Sequence, residues 1–126
     1  MSVALNSQSQ LEYRGRTEAV VASGALSLEH YCSPLAISGT VAYTLARPRW
    51  EGQQKLIYSD TAVSTPVATL AVASCKGESG AATTQTYAGF GDVAASTPKM
   101  LLLTGIKHPT EGLVWVHTAH FGVTVS

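Results

Sequence analysis

Apolar and polar residues alternate along several short stretches of the chain, and this alternation is the main clue to its fold. In Val41–Leu45 the large apolar side chains occupy every second position, with Ala and Thr between them. In residues 54–58 the same pattern assigns Leu56 and Tyr58 to the inward face and Lys55 to the outward face. A period of two is typical of β-strands that have two chemically different faces.

Ten such runs, separated by Gly, Pro, Ser and Asp, predict strands, whereas Gly15 interrupts the best helix candidate, Gln10–Ala22. Their spacing predicts a single all-β domain over residues 17–126, an antiparallel β-sandwich or jelly-roll-like domain. Turn residues cluster at Arg47–Gly52, Lys76–Gly80 and His108–Gly112. The predicted strands are Glu18–Ser23, Ala25–Glu29, Leu35–Ile37, Val41–Leu45, Lys55–Ser59, Val67–Ser74, Thr83–Tyr87, Met100–Thr104, Leu113–Thr118 and His120–Val125.

The inward faces of these strands are expected to form one apolar core. Its largest member is Trp115, which lies within the apolar run Leu113–Val116. The residues expected to be buried are Val41, Tyr43, Leu45, Leu56, Tyr58, Leu70, Val72, Leu101, Leu103 and Trp115.

Residues 1–16 differ from the rest because they are mostly polar and contain only isolated apolar residues. Such a segment is either a simple polar tail or an extended N-terminal arm that orders on a neighbouring subunit. As an arm, it would use its apolar residues as anchors and its arginines as partners for acidic groups. The contact residues that this interpretation assigns are Leu5, Leu11, Tyr13, Arg14 and Arg16.

The charge balance limits the kinds of partner that the chain can have. Lys and Arg number 8 and Asp and Glu number 8, so the formal net charge is zero. A nucleic-acid partner is not expected, because it requires a basic face. A membrane partner is not expected either, because no apolar run approaches the roughly 20 residues that cross a bilayer. Residues 1–10 lack the features of a secretory signal, so Cys32 and Cys75 are expected to be reduced thiols.

The polar residues form no recognisable catalytic or metal-binding pattern. His117 and His120 are three positions apart, a spacing that places side chains on opposite faces of a regular strand. A zinc site needs three or four converging ligands. Asp60 and Asp92 stand beside turn residues rather than in a carboxylate pair. We therefore expect no enzyme activity, no metal and no cofactor.

Trp50 is the one further candidate for a contact, because it lies in the basic turn Arg47–Gly52, directly after Arg49. A tryptophan in such a setting stacks on a sugar, on an arginine or on a protein partner. We therefore add Trp50 to the candidate contact residues.

Several segments of the chain also follow one another in a recognisable order. The most specific are Gly52-Gln53-x-Lys55, the distal pair Gly91-Asp92 and Trp115. The weaker ones are Gly24–Leu28, Ser38–Leu45, Val67–Ser74 and Met100–Leu103. Over about residues 24–116, this order resembles small trimeric β-domains in structural proteins of tailed bacteriophages, in particular the capsid decoration (cement) proteins of cyanophages.

This resemblance implies a homotrimer on the outer surface of the virion, at threefold or quasi-threefold positions, after assembly in the host cytoplasm. Its partner there would be the major capsid protein, whose neighbouring subunits it would clamp together. Similar domains occur in tail fibres and spikes, so the alternative is a receptor-binding or fibre-tip β-module that binds glycans. A third alternative is a cellular β-sandwich interaction domain.

Overall fold

A computed structural model describes residues 12–37, 40–59, 68–76, 82–88, 99–121 and 123–125. Within these residues nearly all of the regular secondary structure is β-strand, as predicted. The nine strands are β1 (Gly24–Ala25), β2 (Cys32–Pro34), β3 (Val41–Leu45), β4 (Gln54–Ser59), β5 (Ala68–Lys76), β6 (Thr83–Ala88), β7 (Lys99–His108), β8 (Gly112–Phe121) and β9 (Thr124–Val125). The predicted run Glu18–Ser23 is not a strand, since this segment forms only isolated bridges from Thr17 and Val21.

These strands form one mixed sheet in the order β1-β3-β5-β8-β7-β4-β2, and β6 connects β5 to β9. The sheet is curled into a half-barrel. The prediction of an antiparallel arrangement is wrong for half of the strand pairs: β1–β3, β2–β4, β3–β5 and β5–β8 are parallel. Alternation along a strand reveals its two faces but carries no information on the direction of its neighbour. The two-layered sandwich or jelly roll stays a prediction.

Strand β5 changes its partner where the sheet bends. Its residues 68–72 pair with β3, and after Ser74 its residues Cys75 and Lys76 pair with β8. The register against β6 shifts between Val72 and Cys75, and Ser74 has a positive φ of 52°. A β-bulge of this kind bends a strand and increases its local twist. The bulge therefore turns the end of β5 towards a new neighbour.

The core lies on the concave face, and most of its predicted members are buried. Tyr43, Leu45, Leu70, Val72, Leu101, Leu103 and Trp115 are confirmed. Trp115 has an exposed fraction of 0%, and its Nε1 donates a hydrogen bond to the carbonyl of Ala46 at 2.8 Å. Val41 is only half-buried but packs against the same core.

The predicted phase of β4 is wrong. Leu56 and Tyr58 are half-buried on the outer face, while Lys55 and Ile57 face inwards and are fully buried. The lysine had marked this face as outward because charged side chains are rarely buried without a partner. In the folded chain the buried ammonium group has partners, which are described below.

Two of the three predicted turns lie in the described residues and are confirmed. Gly52 and Gly112 end them with φ values of +87° and +77°, which glycine adopts without the steric penalty of a Cβ atom. In the third turn, residues 77–80 lie outside the described residues. The described part of the chain contains no helix that is long and apolar enough to span a membrane.

Candidate functional site

Three aromatic side chains from separate parts of the chain meet at one corner of the molecule, which we call the aromatic corner (Tyr13, Tyr31 and Trp50). The ring of Tyr13 contacts Trp50 edge-on, with centroids 5.0 Å apart and planes at 83°. It contacts Tyr31 in the same way at 6.1 Å and 81°. Edge-to-face packing is favourable because the positive edge of one ring meets the negative face of the next. Tyr13 therefore holds the other two rings in fixed orientations.

The backbone around Tyr13 explains its position. Residues 12–14 form one helical turn, which closes when the amide of Arg16 donates to the carbonyl of Tyr13 at 3.0 Å. The carbonyl of Arg16 then accepts hydrogen bonds from the amides of Tyr31 and Cys32. The helical turn is thus attached to the start of β2, and the side chain of Tyr13, only 6% exposed, points into the corner.

Gln53 lies beneath the aromatic corner and joins three segments of the chain. Its Nε2 donates to the hydroxyl of Tyr13 at 3.3 Å and to the carbonyl of Leu28 at 3.0 Å. Its Oε1 accepts from the amide of Arg49 at 2.8 Å. Burial raises the pKa of the Tyr13 phenol to about 12, although the hydrogen bond from Gln53 acts in the opposite direction. A neutral phenol is therefore maintained over the whole physiological range.

The turn that carries Trp50 lies directly on β7. The amide of Gly52 donates to the carbonyl of Gly105 at 2.8 Å, and the amide of Gly105 donates to the carbonyl of Gln53. A Cβ atom on Gly105 would come within 2.8 Å of the Cβ of Pro48 and 3.1 Å of the Trp50 carbonyl. The absence of a side chain at Gly105 thus permits the close approach that positions Trp50.

Lys55 anchors the adjoining irregular segment, residues 26–31. Its Nζ donates hydrogen bonds to the carbonyls of Ser27 and His30, at 2.5 and 2.7 Å. Burial lowers the pKa of Lys55 to about 8, against the opposing effect of the nearby Glu18 carboxylate. Lys55 thus acts as a donor to carbonyl groups that belong to no strand ladder.

Glu18 completes this network from the other side of the segment. Its Oε1 accepts from the amide of Ser27 at 3.1 Å and from the hydroxyl of Ser33 at 2.6 Å. The hydroxyl of Ser27 in turn lies 2.8 Å from Nδ1 of His30. Each of these groups serves the local backbone, so the cluster is a structural network that fixes the segment beside the aromatic corner.

The solvent side of this corner is rich in charge. Arg14 and Arg16 are exposed on the segment that carries Tyr13. Arg49 is exposed beside Trp50 and forms an ion pair with Glu29 at 3.4 Å. Exposed ion pairs contribute little to stability, so these charges remain available to a partner. Trp50 itself is only half-buried.

The structure therefore brings together two candidate contact residues that are distant in sequence, Tyr13 and Trp50, and exposes Arg14 and Arg16. Leu5 and Leu11 lie outside the described residues, as does the rest of the predicted arm before Glu12. The part of the arm that is described, residues 12–16, packs against the domain. Tyr13 supports Trp50 from within, and the exposed groups on its segment are the two arginines.

Sequence reasoning overlooked the residues that build this site. Tyr31 was not singled out, and Gln53 and Lys55 had no assigned role although both belong to the motif Gly52-Gln53-x-Lys55. The available signal was their spacing: two polar side chains at alternate positions of a strand share one face. That face is inward, and both residues are buried there.

A second polar cluster lies on the concave side of the sheet, on β5, β6 and β8. The hydroxyl of Tyr87 lies 3.5 Å from Sγ of Cys75, and the Tyr87 ring contacts His117 edge-on at 5.5 Å. Nε2 of His117 lies 2.8 Å from Nδ1 of His120. Burial raises the pKa of both the Cys75 thiol and the Tyr87 phenol. Cys75 and Cys32 are free thiols.

The expectation that His117 and His120 point to opposite faces is wrong. Between these residues β8 contains a β-bulge at Thr118, because Leu103 pairs with His117 while Leu102 pairs with Ala119. The extra residue shifts the alternation by one position, so both histidines lie on the same face. A spacing of three in a bulged strand is thus equivalent to a spacing of two in a regular one.

In these two clusters the Glu18 carboxylate, the Lys55 ammonium group and the Cys75 thiol contact backbone or buried groups. Among the described residues, no group of three or more His, Cys, Asp or Glu side chains converges in a way that could hold a metal ion. The aromatic corner with its exposed arginines remains the best-defined candidate surface. In comparisons with known proteins, no family model and no curated protein sequence matches this chain.

Proposed function

We propose that this chain is a bacteriophage capsid decoration protein that binds the outer surface of the major capsid protein lattice as a homotrimer and stabilises the shell. The proposal rests first on the resemblance described for residues 24–116. On this proposal the protein is a structural component of the virion and not an enzyme, and it requires no cofactor. The fold proposed with it is the jelly-roll-like sandwich, with which a curled all-β sheet is compatible.

The observation that supports this proposal best is the contact between the rings of Tyr13 and Trp50, whose centroids are 5.0 Å apart. Arg14 and Arg16 are exposed next to Tyr13 in the chain. Tryptophan, tyrosine and arginine are the residues that most often dominate the energy of protein interfaces. A ring held in place by Tyr13 loses little entropy when it binds. Exposed arginines can donate paired hydrogen bonds to carboxylates of a capsid subunit. The remainder of the arm, including Leu5 and Leu11, would extend this contact along the shell.

A binding assay on capsid shells tests the proposal. The purified protein is mixed with DNA-free shells of the major capsid protein encoded by the same phage genome and then sedimented. We expect saturable binding and, by native mass spectrometry, a species of three times 13.2 kDa. Three linked contacts raise the overall affinity through effective concentration. A monomer at micromolar concentration would contradict the trimer, and failure to bind would contradict the decoration function.

Surface variants then test the assigned contact. Arg14→Glu combined with Arg16→Glu, and separately Trp50→Ala, should each weaken shell binding by about tenfold or more. Lys107→Glu is the matched control, since Lys107 is an exposed cation on β7. Its binding should equal that of the wild type. If shells bind every variant equally, the decoration function stands and the assigned surface is wrong.

The second candidate function is a glycan-binding fibre-tip module. The observation that favours it is the half-buried indole of Trp50, held by Tyr13 and flanked by polar groups, since such a ring can stack on a sugar. A glycan array with the wild type and Trp50→Ala distinguishes the two functions. Specific glycan binding that is lost in Trp50→Ala, together with no binding to shells, would support the fibre-tip module.

A further inference from the structure

His117 and His120 face each other through a hydrogen bond between their rings. Both side chains lie on β8, and their facing nitrogens, Nε2 of His117 and Nδ1 of His120, are 2.8 Å apart. The ring centroids are 4.6 Å apart, with the planes at 57°. At this distance the N–H of one ring donates to the unprotonated nitrogen of the other, and both nitrogens are of the type that binds transition metals. The pair is independent of the aromatic corner, which lies on other elements.

The supports of the pair restrict His117 more than His120. The ring of His117 is half-buried and contacts the buried ring of Tyr87 edge-on. The bulge at Thr118 fixes the relative position of the two residues along β8, and the strand pairs with β7 on both sides of that bulge. His120 is exposed, so its ring has room to turn towards a ligand from solvent. One ligand is therefore preorganised, and the other is adjustable.

In the hydrogen bond the N–H of one ring points at the nitrogen of the other, whereas a chelated metal needs both lone pairs directed at one point beside the line between them. With metal–nitrogen bonds of about 2.0–2.1 Å and a right angle between them, the nitrogens would keep nearly their separation of 2.8 Å, so a turn of the exposed His120 ring is enough. A tetrahedral ion such as Zn²⁺ would in addition require the nitrogens to move apart to about 3.3 Å. Square-planar or tetragonal nitrogen ligation is typical of Cu²⁺ and Ni²⁺, and Cu²⁺ is the tightest binder of the divalent series.

We propose that His117 and His120 form a bidentate surface site for a tetragonal transition-metal dication, with Cu²⁺ as the preferred ion. On binding, the proton of that hydrogen bond moves to the other nitrogen of its own imidazole, so both facing nitrogens bind the metal as neutral ligands, and solvent supplies the remaining ligands. With only two protein ligands, the site has coordination positions open to exogenous donors.

The test uses the full chain, freed of metal by a chelator and titrated with CuSO₄. We expect one Cu²⁺ per chain by calorimetry and an electron paramagnetic resonance spectrum with two coupled imidazole nitrogens. His120→Ala should weaken binding on the order of 100-fold, because a chelate gains its second bond at high effective concentration. The side chain of His120 is exposed, so this variant should fold, which its circular dichroism will verify. Titration with ZnSO₄ should give weaker binding than with CuSO₄.

The control is His108→Ala, which removes the rival pair of His108 and Glu111, whose Nδ1 and Oε1 are 3.6 Å apart. This variant should bind Cu²⁺ as the wild type does. Loss of binding in His108→Ala with retention in His120→Ala would assign the metal to the rival pair and overturn the proposal. Equal binding in all three proteins, binding of Zn²⁺ as tight as Cu²⁺, or no stoichiometric binding would also overturn it.

Discussion

Two regions of the sheet are stabilised by different kinds of interaction. Around β5, β7 and β8 the contacts are those of an apolar core, in which Leu70, Leu101 and Trp115 are completely buried. Around β4, by contrast, the buried groups include Gln53 and Lys55, and their partners are backbone carbonyls of residues 26–31. The first region consists of paired strands, and the second is an irregular segment that packs on a strand.

This difference follows from where the backbone hydrogen bonds go. In the ladder of β7 and β8 the backbone groups of each strand pair with those of the other, so side chains need only fill space. The segment 26–31 has carbonyls without ladder partners, and a buried carbonyl without a donor is costly. Gln53, just before β4, and Lys55 on β4 supply those donors. An irregular segment can thus be packed as firmly as a strand, provided that the adjacent face carries donors.

The largest expected effect concerns the apolar region. Trp115→Ala should lower the free energy of unfolding by about 3–5 kcal/mol, because it removes a fully buried ring and leaves a cavity. Urea unfolding measures the change. Ile106→Ala, an exposed position on the neighbouring strand, is the control and should change stability by less than about 1 kcal/mol. A mutant Trp115→Ala as stable as the wild type would refute the assignment of the core.

Lys55→Met tests the polar region. Two carbonyls lose their donor, so we expect a loss of about 2–3 kcal/mol near neutral pH. Lys107→Met, at an exposed position, is the control and should be nearly neutral. A gain in stability for Lys55→Met would show that the buried lysine destabilises the folded chain.

The pH dependence of the same comparison has a definite sign. The pKa of Lys55 is lowered from 10.5 to about 8 in the folded chain, so the unfolded chain binds more protons between these values. The wild type should therefore gain stability relative to Lys55→Met as the pH rises, by about 2 kcal/mol between about pH 7.5 and 9.5. Comparing the two proteins cancels the titration of most other groups. A difference that does not change with pH would mean that the ammonium group is not buried.

Gly105→Ala tests the junction between the two regions. The new Cβ would lie 2.8 Å from Cβ of Pro48, so the turn that carries Trp50 must move, at a cost of about 1–3 kcal/mol. In a Pro48→Gly background the same substitution should lower the free energy of unfolding by less, because the Pro48 side chain that the new Cβ approaches is absent. Equal costs in both backgrounds would show that Pro48 does not limit the approach.

The smallest expected effect is that of Tyr13→Phe, which removes only the hydroxyl that accepts from Gln53. We expect a loss of about 1 kcal/mol. Since the pKa of Tyr13 is raised from 10.0 to about 12, its contribution is complete below pH 10 and is lost as the pH approaches 12. The stability difference between the two proteins should shrink and then change sign over that range, because two pKa units correspond to about 2.7 kcal/mol. Persistence of the full difference at high pH would contradict the burial of this phenol.

Part of this structure could be predicted from the sequence. Strand β3 has the predicted bounds, Val41–Leu45, and the inward residues of β3, β5, β7 and β8 were largely identified in advance. In those strands one face is apolar and the other polar, so the period of two also reveals which face is inward. Gly52 and Gly112 mark turns that require positive φ, and that requirement is local.

Less of the candidate site could be predicted from the sequence, because the site depends on contacts between distant segments. Trp50, Tyr13, Arg14 and Arg16 were selected by composition, but nothing in the sequence indicates that Tyr13 and Trp50 are in contact. Lys55 is the reason that the phase of β4 was predicted wrongly. A charged side chain is expected to be exposed, and the sequence does not show that the carbonyls of Ser27 and His30 lie near it.

The sequence by itself therefore determined the all-β class, the inward faces of the apolar strands and the glycine turns, because each depends on neighbouring residues and local backbone sterics. Only the tertiary structure decided the direction of strand pairing, the burial of Lys55, the aromatic corner and the meeting of His117 with His120. These features depend on which distant groups satisfy buried donors and acceptors, and on a single bulge residue that reverses the faces of a strand. The alternation of apolar and polar residues along the chain contains no information on these distant contacts or on the bulge.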